Sequence, residues 1–307
     1  MAFNDNDAMV DHRNDEATMG SLGVLVGKGA AQAVRSEIEK APWLAVQLEP
    51  SSGNTLLMQA LHLRENECAL ALIPFSHARH KNRQGKTALI LAASGGLEEC
   101  VEALLPVSDV NDLDDGGMSA LMRAASKGHE RAIEVLLSSP SAPAKAANKS
   151  GATALMYALL DYEAESAKLL IPHSDLCAAT KKGDTPLSYA AGSGLADIVR
   201  SILPFASART FGTDGFTPLI IAANHTDEAS ALACVEALLP FSDVGFRAPQ
   251  SRLWISGMSA ADVARKNGFD GIAALIDGFE TAQKEKAELI ASTGLPAGPG
   301  CSRKLRV

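Results

Sequence analysis

One stretch of the sequence decides the fold, and it reads Gly85-Lys86-Thr87-Ala88-Leu89-Ile90-Leu91-Ala92-Ala93-Ser94-Gly95-Gly96. The stretch 117–128 repeats its order of residue types, and related stretches open at Gly53, Gly151, Gly183, Gly215 and Gly257. A Thr or Ser follows each glycine by two residues, at positions 55, 87, 119, 153, 185, 217 and 259. The successive spacings are 32, 32, 34, 32, 32 and 42 residues. Such a period predicts a solenoid of stacked repeats.

Each repeat carries the signals of two short helices. The glycine permits a turn with positive φ, and the Thr or Ser is a helix cap whose hydroxyl accepts an orphan backbone N–H. In the second helix, apolar residues recur on one side of the stretch 99–105,. Pro106 ends that helix, because proline cannot continue it. Register positions are counted below from the capping Thr or Ser, so that position −1 is the residue before it.

The register carries the signature of a known family. Its T-P-L-H-x-A motif is matched by Thr185-Pro186-Leu187-Ser188-Tyr189-Ala190 and by Thr217-Pro218-Leu219-Ile220-Ile221-Ala222. The chain therefore resembles the ankyrin repeat, and its repeat sequence is nearer to that of arrays from bacteria or protists. The signature His is replaced by Ile90, Met122, Met156, Ser188 and Ile220. The resemblance implies an all-α fold, an ankyrin-repeat solenoid of stacked helix-turn-helix units with extended loops.

The register also predicts the domain boundaries. Residues 1–18 are acidic and poor in apolar residues, which predicts a disordered lead. The ankyrin-repeat domain is expected over 19–280, with terminal repeats acting as caps. Its repeats fall near 19–50, 51–82, 83–114, 115–148, 149–180, 181–212, 213–254 and 255–280. Residues 281–307 are expected to form a charged helical extension and a flexible basic tail.

Composition excludes several classes of function. The net charge is −8, so no global field favours nucleic acid. No apolar run approaches the roughly 18 residues of a membrane helix, and the acidic N-terminus does not resemble a secretory signal. We therefore expect a cytoplasmic protein, the alternative being secretion into a host cell without a classical signal peptide.

The sequence contains no complete phosphate-binding or catalytic motif. A phosphate-binding loop ending at Gly85-Lys86-Thr87 would need a glycine where His80 stands,. Gly192-Ser193-Gly194 coincides with the turn between two repeat helices and lacks the frame of a nucleophile elbow. Cys68, Cys100 and Cys234 share one register position, which predicts small core residues rather than a catalytic thiol. The sequence predicts no enzyme, no cofactor and no metal site.

What remains is a surface for binding. The resemblance implies that a partner is held on the concave face, which loop tips and the exposed side of the first helices form. Exposed aromatic residues in such loops are typical binding anchors, although Phe211 and Phe216 could equally pack on the neighbouring loop. Carried over by register, the candidate partner-binding residues are Arg83, Lys86, Asp115, Met118, Lys127, Asp161, Lys181, Lys182, Asp184, Phe211, Asp214, Phe216, Asn224, His225 and Trp254.

The sequence thus predicts a non-catalytic protein–protein interaction module or scaffold. Its partner is expected to be a protein, with no nucleic acid and no membrane bound, and the chain is expected to be a monomer. Two alternatives stay open: a regulatory or inhibitory subunit of an enzyme, and a bacterial effector that acts on a host protein.

Overall fold

A computed structural model describes residues 12–139, 144–212, 215–249 and 255–293. These residues form sixteen α-helices and no strand, and their only β-bridges are the isolated pairs Ala147–Thr153 and Arg247–Ser259. The predicted all-α class is confirmed. The chain divides into two compact units, Met1–Asp175 and Leu176–Val307.

The first unit contains five helix pairs. Their bounds are α1 His12–Gly27, α2 Ala31–Lys40, α3 Leu56–Leu63, α4 Asn66–Leu72, α5 Ala88–Gly95, α6 Glu98–Leu104, α7 Ala120–Ser126, α8 Glu130–Ser138, α9 Ala154–Leu160 and α10 Ala164–Leu170. The odd-numbered helices pack on one another in chain order, and so do the even-numbered ones. The core therefore lies between two layers, an inner layer of first helices and an outer layer of second helices.

The second unit contains three pairs built in the same way. Their bounds are α11 Pro186–Gly192, α12 Ala196–Ile202, α13 Pro218–Ala223, α14 Glu228–Leu238, α15 Ala260–Lys266 and α16 Asp270–Thr293. The sequence of the second pair carries four extra residues, and α14 absorbs them as one additional helical turn with Asp227 as its cap. The register of the fold survives the insertion for this reason.

The predicted caps form at all seven register positions. Thr87 is 1% exposed, and its hydroxyl accepts the backbone N–H of Ile90 at 3.3 Å. The cap residues Thr55, Ser119, Thr153, Thr185, Thr217 and Ser259 make the equivalent bond. The residues that replace the signature His take two forms. Ile90 is buried against the core, whereas the Ser188 hydroxyl bonds back to the Thr185 backbone and closes a capping box,.

The prolines end the second helices as predicted, and a serine assists them. A short 3-10 turn with proline at its centre follows α4, α6, α10 and α14. After α4, the Ser76 hydroxyl donates to the Leu72 carbonyl at 2.8 Å. Ser174 and Ser242 make the same bond after α10 and α14. Each hydroxyl satisfies one of the orphan carbonyls at a helix end.

The shared cysteine position lies in the core, as predicted. Cys68, Cys100 and Cys234 are fully buried. Burial raises the pKa of the Cys100 thiol to about 11, and the nearby Glu99 carboxylate adds to the shift. Burial likewise raises the pKa of Cys234 to about 11. These thiols stay protonated at neutral pH, which makes them poor nucleophiles.

Both ends of the described chain are helical beyond the predicted domain. Helix α1 begins at His12, within the segment predicted to be disordered, because Leu22 and Val26 are buried further along it. Once a helix is anchored by packing, each added residue gains one hydrogen bond at low cost. Helix α16 runs on to Thr293 through the predicted extension. Residues 1–11 and 294–307 lie outside the described part.

Candidate functional site

The loop tips of the first unit are tightly hydrogen-bonded turns. At the tip before α5, the side-chain oxygen of Asn82 accepts the backbone N–H groups of Gln84 and Lys86, both at 3.0 Å. The Asn82 N–H donates to the Lys86 carbonyl at 3.0 Å and closes the turn. Gly85 has φ +70° between them, a conformation that glycine adopts at little cost. The sequence therefore holds a fixed backbone at the place where a partner is expected.

At two of the turns, a second tie joins the base of the turn to its first helix. Asn148, at position −5, donates to the Tyr157 hydroxyl on α9 at 2.9 Å. One repeat earlier, the same positions carry Asp114 and Arg123, whose Nε lies 3.0 Å from the carboxylate. Sequence reasoning missed these residues. The sequence signal that could have identified them is a polar residue at position −5, namely Asn82, Asp114, Asn148 and Thr180.

Neighbouring tips are joined to each other as well. The backbone N–H of Arg83 donates to the Ser52 carbonyl at 3.0 Å, and that of Asp115 donates to the Gln84 carbonyl at 3.1 Å. The tips before α3, α5 and α7 therefore form one hydrogen-bonded row, and the side chains at their position −4 are exposed.

Two adjacent loops of the first unit carry opposite charge. Residues 77–86 are basic, and residues 108–118 are acidic. Lys81 Nζ lies 2.8 Å from a carboxylate oxygen of Asp112. Hydrogen bonds from Asn111 hold the pKa of the Asp109 carboxyl below its usual value, and Arg79 and Lys81 lower it further. The cations of the basic loop are therefore partly neutralised by the next loop.

The candidates at position −1 are turned inward. Met118 is 9% exposed and offers a partner little surface, so its selection as a partner-binding residue does not fit the structure. Lys86, Asp184 and Phe216 are half-buried. The reason is common to them: their carbonyls accept the hydrogen bond that closes each turn, as Met118 does from Asp114 at 3.1 Å.

The candidates at the loop tips and after the first helices differ in their exposure. Arg83, Asp115, Lys127, Lys181 and Lys182 are exposed. Asp161 is also exposed, and its carboxylate accepts the Ser126 hydroxyl.

The candidates next to α13 are engaged by their own loops. His225 is half-buried, and its Nδ1 accepts the Asp227 N–H at 3.0 Å. Asn224 is exposed and lies 3.4 Å from the Asn267 amide nitrogen. Asp214 and Trp254 lie outside the described residues.

Phe211 combines the two roles expected for it, packing on a neighbouring loop and exposure to a partner. Its ring packs on Phe246 of the following loop, with centroids 4.9 Å apart and planes tilted by 42°. Such a tilted pair is a favourable aromatic geometry. Phe211 nevertheless remains 53% exposed, so the ring is both a packing residue and an available surface.

Within the described residues, the side chains do not come together as a metal-binding or catalytic group. Within them, no group of three or more His, Cys, Asp or Glu side chains could hold a metal ion. The His80 ring lies 2.9 Å from the Gly53 carbonyl oxygen and bonds it. Gly192 ends α11 and Ser193 follows as its C-cap, so this stretch is a repeat turn. No helix in the same ranges is long and apolar enough to cross a membrane.

Comparison with known proteins decides the family. The family model for ankyrin repeats in three copies matches residues 29–114, 57–148, 96–178, 121–210 and 161–247. Together these matches span residues 29–247 of 307, which is more than half of the chain. The chain belongs to the ankyrin-repeat family. The predicted resemblance is thereby confirmed.

A solved ankyrin structure agrees with this membership. The crystal structure of the ankyrin repeat domain of Bcl-3, described as a unique member of the IkappaB protein family, matches with a TM-score of 0.56. The identity is 24%, over 65% of this chain and 92% of that one, which shows a common fold alone. No curated protein matches the sequence.

The ankyrin array continues beyond the matched residues. Helices α15 and α16 lie after residue 247, yet Ser259 caps α15 at the repeat's register and closes a capping box with Asp262. This last repeat buries Val263 and Ile276. At the other end, α1 precedes the first match and buries Leu22 and Val26. The structure thus adds a terminal helix pair that the family model does not cover.

Proposed function

We propose that this chain is a non-catalytic protein-interaction module, a scaffold that binds a protein partner through its loop tips and the exposed side of its first helices. One observation carries the proposal. The same backbone hydrogen bond closes the tips before α5, α7, α9 and α11, whereas position −4 changes from Arg83 to Asp115, Lys149 and Lys181. A constant frame with variable exposed side chains is the property that a recognition surface requires.

The hydrogen bonds of the tips support binding energetically. Association costs free energy when loops and side chains have to be ordered, roughly 0.5–1.5 kcal/mol per immobilised side chain. The turn at Asn82 is already closed by three bonds, and the Arg83 backbone is tied to Ser52. A partner therefore meets a surface that needs little rearrangement.

A non-catalytic role is favoured by the thiols of Cys100 and Cys234, which burial keeps protonated. The ankyrin repeat is also typically a non-enzymatic interaction fold. We further propose that the chain acts in the cytoplasm as a monomer. Regulation of an enzyme partner is the alternative, which a change in that enzyme's rate on adding the chain would establish.

A pull-down with matched variants tests the proposal. The tip variant is Arg83→Ala/Lys149→Ala/Lys181→Ala, and the control is Glu98→Ala/Glu102→Ala/Glu134→Ala on the exposed side of α6 and α8. We expect a protein that wild type and control retain and the tip variant loses, with equal helicity in circular dichroism. A partner lost only from the control would refute the proposal, because it would place binding on the second helices.

A further inference from the structure

Three loop tips of the second unit lie side by side. A Cβ atom added at Gly183 would lie 2.6 Å from the Phe211 carbonyl oxygen, so the tip 180–184 touches the tip 209–212. The Phe211 ring in turn contacts the Phe246 ring at 4.9 Å. The side chains at these tips therefore form one continuous surface around the ring pair.

Within the described ranges, three cations at this surface have no carboxylate partner. Lys181 and Lys182 flank the Gly183 contact, and Arg209 stands two residues before Phe211; all three are exposed. Among the residues that the structure describes, no carboxylate oxygen lies within 4.0 Å of any of them. Arg247 differs, since it pairs with Asp262 at 2.9 Å.

The basic loop of the first unit provides the contrast. There Lys81 pairs with Asp112 of the adjoining loop, and Asp109 lies in the field of Arg79 and Lys81. In the second unit, the tip 180–184 contains the acid Asp184, which is half-buried and whose backbone N–H donates to the Thr180 hydroxyl at 3.1 Å. Among the described residues, the charges of Lys181, Lys182 and Arg209 therefore stay exposed and are not neutralised by a carboxylate.

We propose that this cationic aromatic patch, formed by Lys181, Lys182, Arg209, Phe211 and Phe246, binds an acidic peptide segment of a partner protein. Carboxylates of the segment meet the three cations, and an aromatic or other large apolar side chain packs on the exposed half of the Phe211 ring. The inference rests on the proposed interaction function and names the chemistry of its partner.

Charge complementarity and the ring pair together favour a peptide over other anions. A chain of net charge −8 repels a polyanion over most of its surface,. Three cations are few against the roughly 6–10 phosphate contacts of a DNA-binding protein. An exposed aromatic ring between cations instead suits a segment that carries both charge and an apolar anchor, since such rings are typical hot spots of protein interfaces.

Peptide selection on the intact chain tests this inference. Random peptides of about 12 residues are displayed on phage and selected at low salt, where surface charge is least screened. We expect the retained peptides to be rich in Asp and Glu with a large apolar residue. A retained peptide is then synthesised, and its affinity is measured by fluorescence anisotropy. The affinity should fall about tenfold or more for Lys181→Glu/Lys182→Glu/Arg209→Glu.

Matched variants separate the possible results. Arg35→Glu/Lys40→Glu/Arg131→Glu reverses three exposed cations on the second helices α2 and α8, and it should change the affinity by less than about twofold, because it leaves the loop tips unaltered. Phe211→Ala should weaken binding, and Lys181→Gln/Lys182→Gln/Arg209→Gln should give an intermediate loss. Circular dichroism checks that each variant folds.

Each remaining outcome overturns a defined part of the reasoning. Retained peptides without acidic bias, or an affinity that the second-unit reversal leaves unchanged, would overturn this inference and leave the interaction function standing. A DNA duplex or phosphatidylserine vesicle that binds more tightly than the peptide, and is lost with the same variant, would overturn it in favour of a polyanion. No peptide retained above bare beads would count against both the inference and the proposed function.

Discussion

The ion pair between Asp114 and Arg123 gives the sharpest test of how a loop tip is held. The Asp114 side chain is 1% exposed and that of Arg123 is 27% exposed. One carboxylate oxygen accepts the Met118 N–H at 2.9 Å, and the other accepts Arg123 Nε at 3.0 Å. Removing the guanidinium therefore leaves a buried carboxylate with one backbone donor.

The variant Arg123→Leu should lower the free energy of unfolding by about 3 kcal/mol, because a buried charge that loses its partner is uncompensated. The preceding repeat supplies the repair, since the same register positions there carry Asn82 and Leu91. Adding Asp114→Asn to Arg123→Leu copies that neutral pair. We expect the double variant to lie within about 1 kcal/mol of wild type, giving a coupling energy of about 2 kcal/mol.

Urea unfolding followed by circular dichroism measures these free energies, and native-state hydrogen exchange of the α7 amides locates the effect. Exchange is needed because long repeat arrays can depart from two-state unfolding. The reasoning is refuted if Arg123→Leu costs the same with Asp114 as with Asn at position 114. Additivity of that kind would mean that the pair is exposed to water in solution and contributes only what a surface salt bridge does.

Three further predictions concern the core. Leu104 in α6 is fully buried, so Leu104→Ala should lower the free energy of unfolding by about 2–5 kcal/mol and uncouple the neighbouring repeats. A lower urea midpoint would show this. Ser166→Ala should stabilise the protein by about 1 kcal/mol, because the buried Ser166 hydroxyl has no hydrogen-bond partner within the described part of the chain,. A lower urea midpoint would mean that the hydroxyl is bonded. Above pH 9 the free energy of unfolding should fall more steeply in wild type than in Cys100→Ala/Cys234→Ala.

The sign of the pH effect follows from the raised thiol pKa values. Near the ordinary pKa of 9.0 the unfolded thiols begin to ionise, whereas Cys100 and Cys234 in the folded state ionise only at about 11. The unfolded state therefore loses protons first, and the contribution of the thiols to stability, complete below pH 9, is lost as the pH rises towards 11. Equal slopes in wild type and the double variant would contradict the buried state of both thiols.

The sequence predicted the helices because the signals that start and stop them are local. A capping hydroxyl such as that of Thr87 bonds a backbone N–H three residues away, and a proline such as Pro106 acts where it stands. Both signals can be read from one repeat, and seven copies fix the register. The four-residue insertion before α14 could not be placed in this way, because it extends the helix only through a new cap at Asp227.

The ties at the loop tips could not be predicted in the same way. Asp114 and Arg123 are nine residues apart, and only the turn between them brings the two side chains together. Residues with identical register positions, Asn82 and Leu91, cannot form such a pair. Recognising the ties needs the geometry of the loop rather than residue spacing alone.

The same geometry corrects the choice of binding residues and predicts where specificity resides. At position −1 the carbonyl closes the turn, which leaves Met118 buried and Phe216 half-buried. Positions −4 and −3 lie at the tip and are exposed at the four tips before α5, α7, α9 and α11, namely Arg83, Gln84, Asp115, Gly116, Lys149, Ser150, Lys181 and Lys182. If a partner binds at the tips, as we propose, it meets two adjacent exposed positions at each of these four tips. The charge at position −4 changes sign between Arg83 and Asp115 and again at Lys149, so the order of charges along the tips would then distinguish one partner from another.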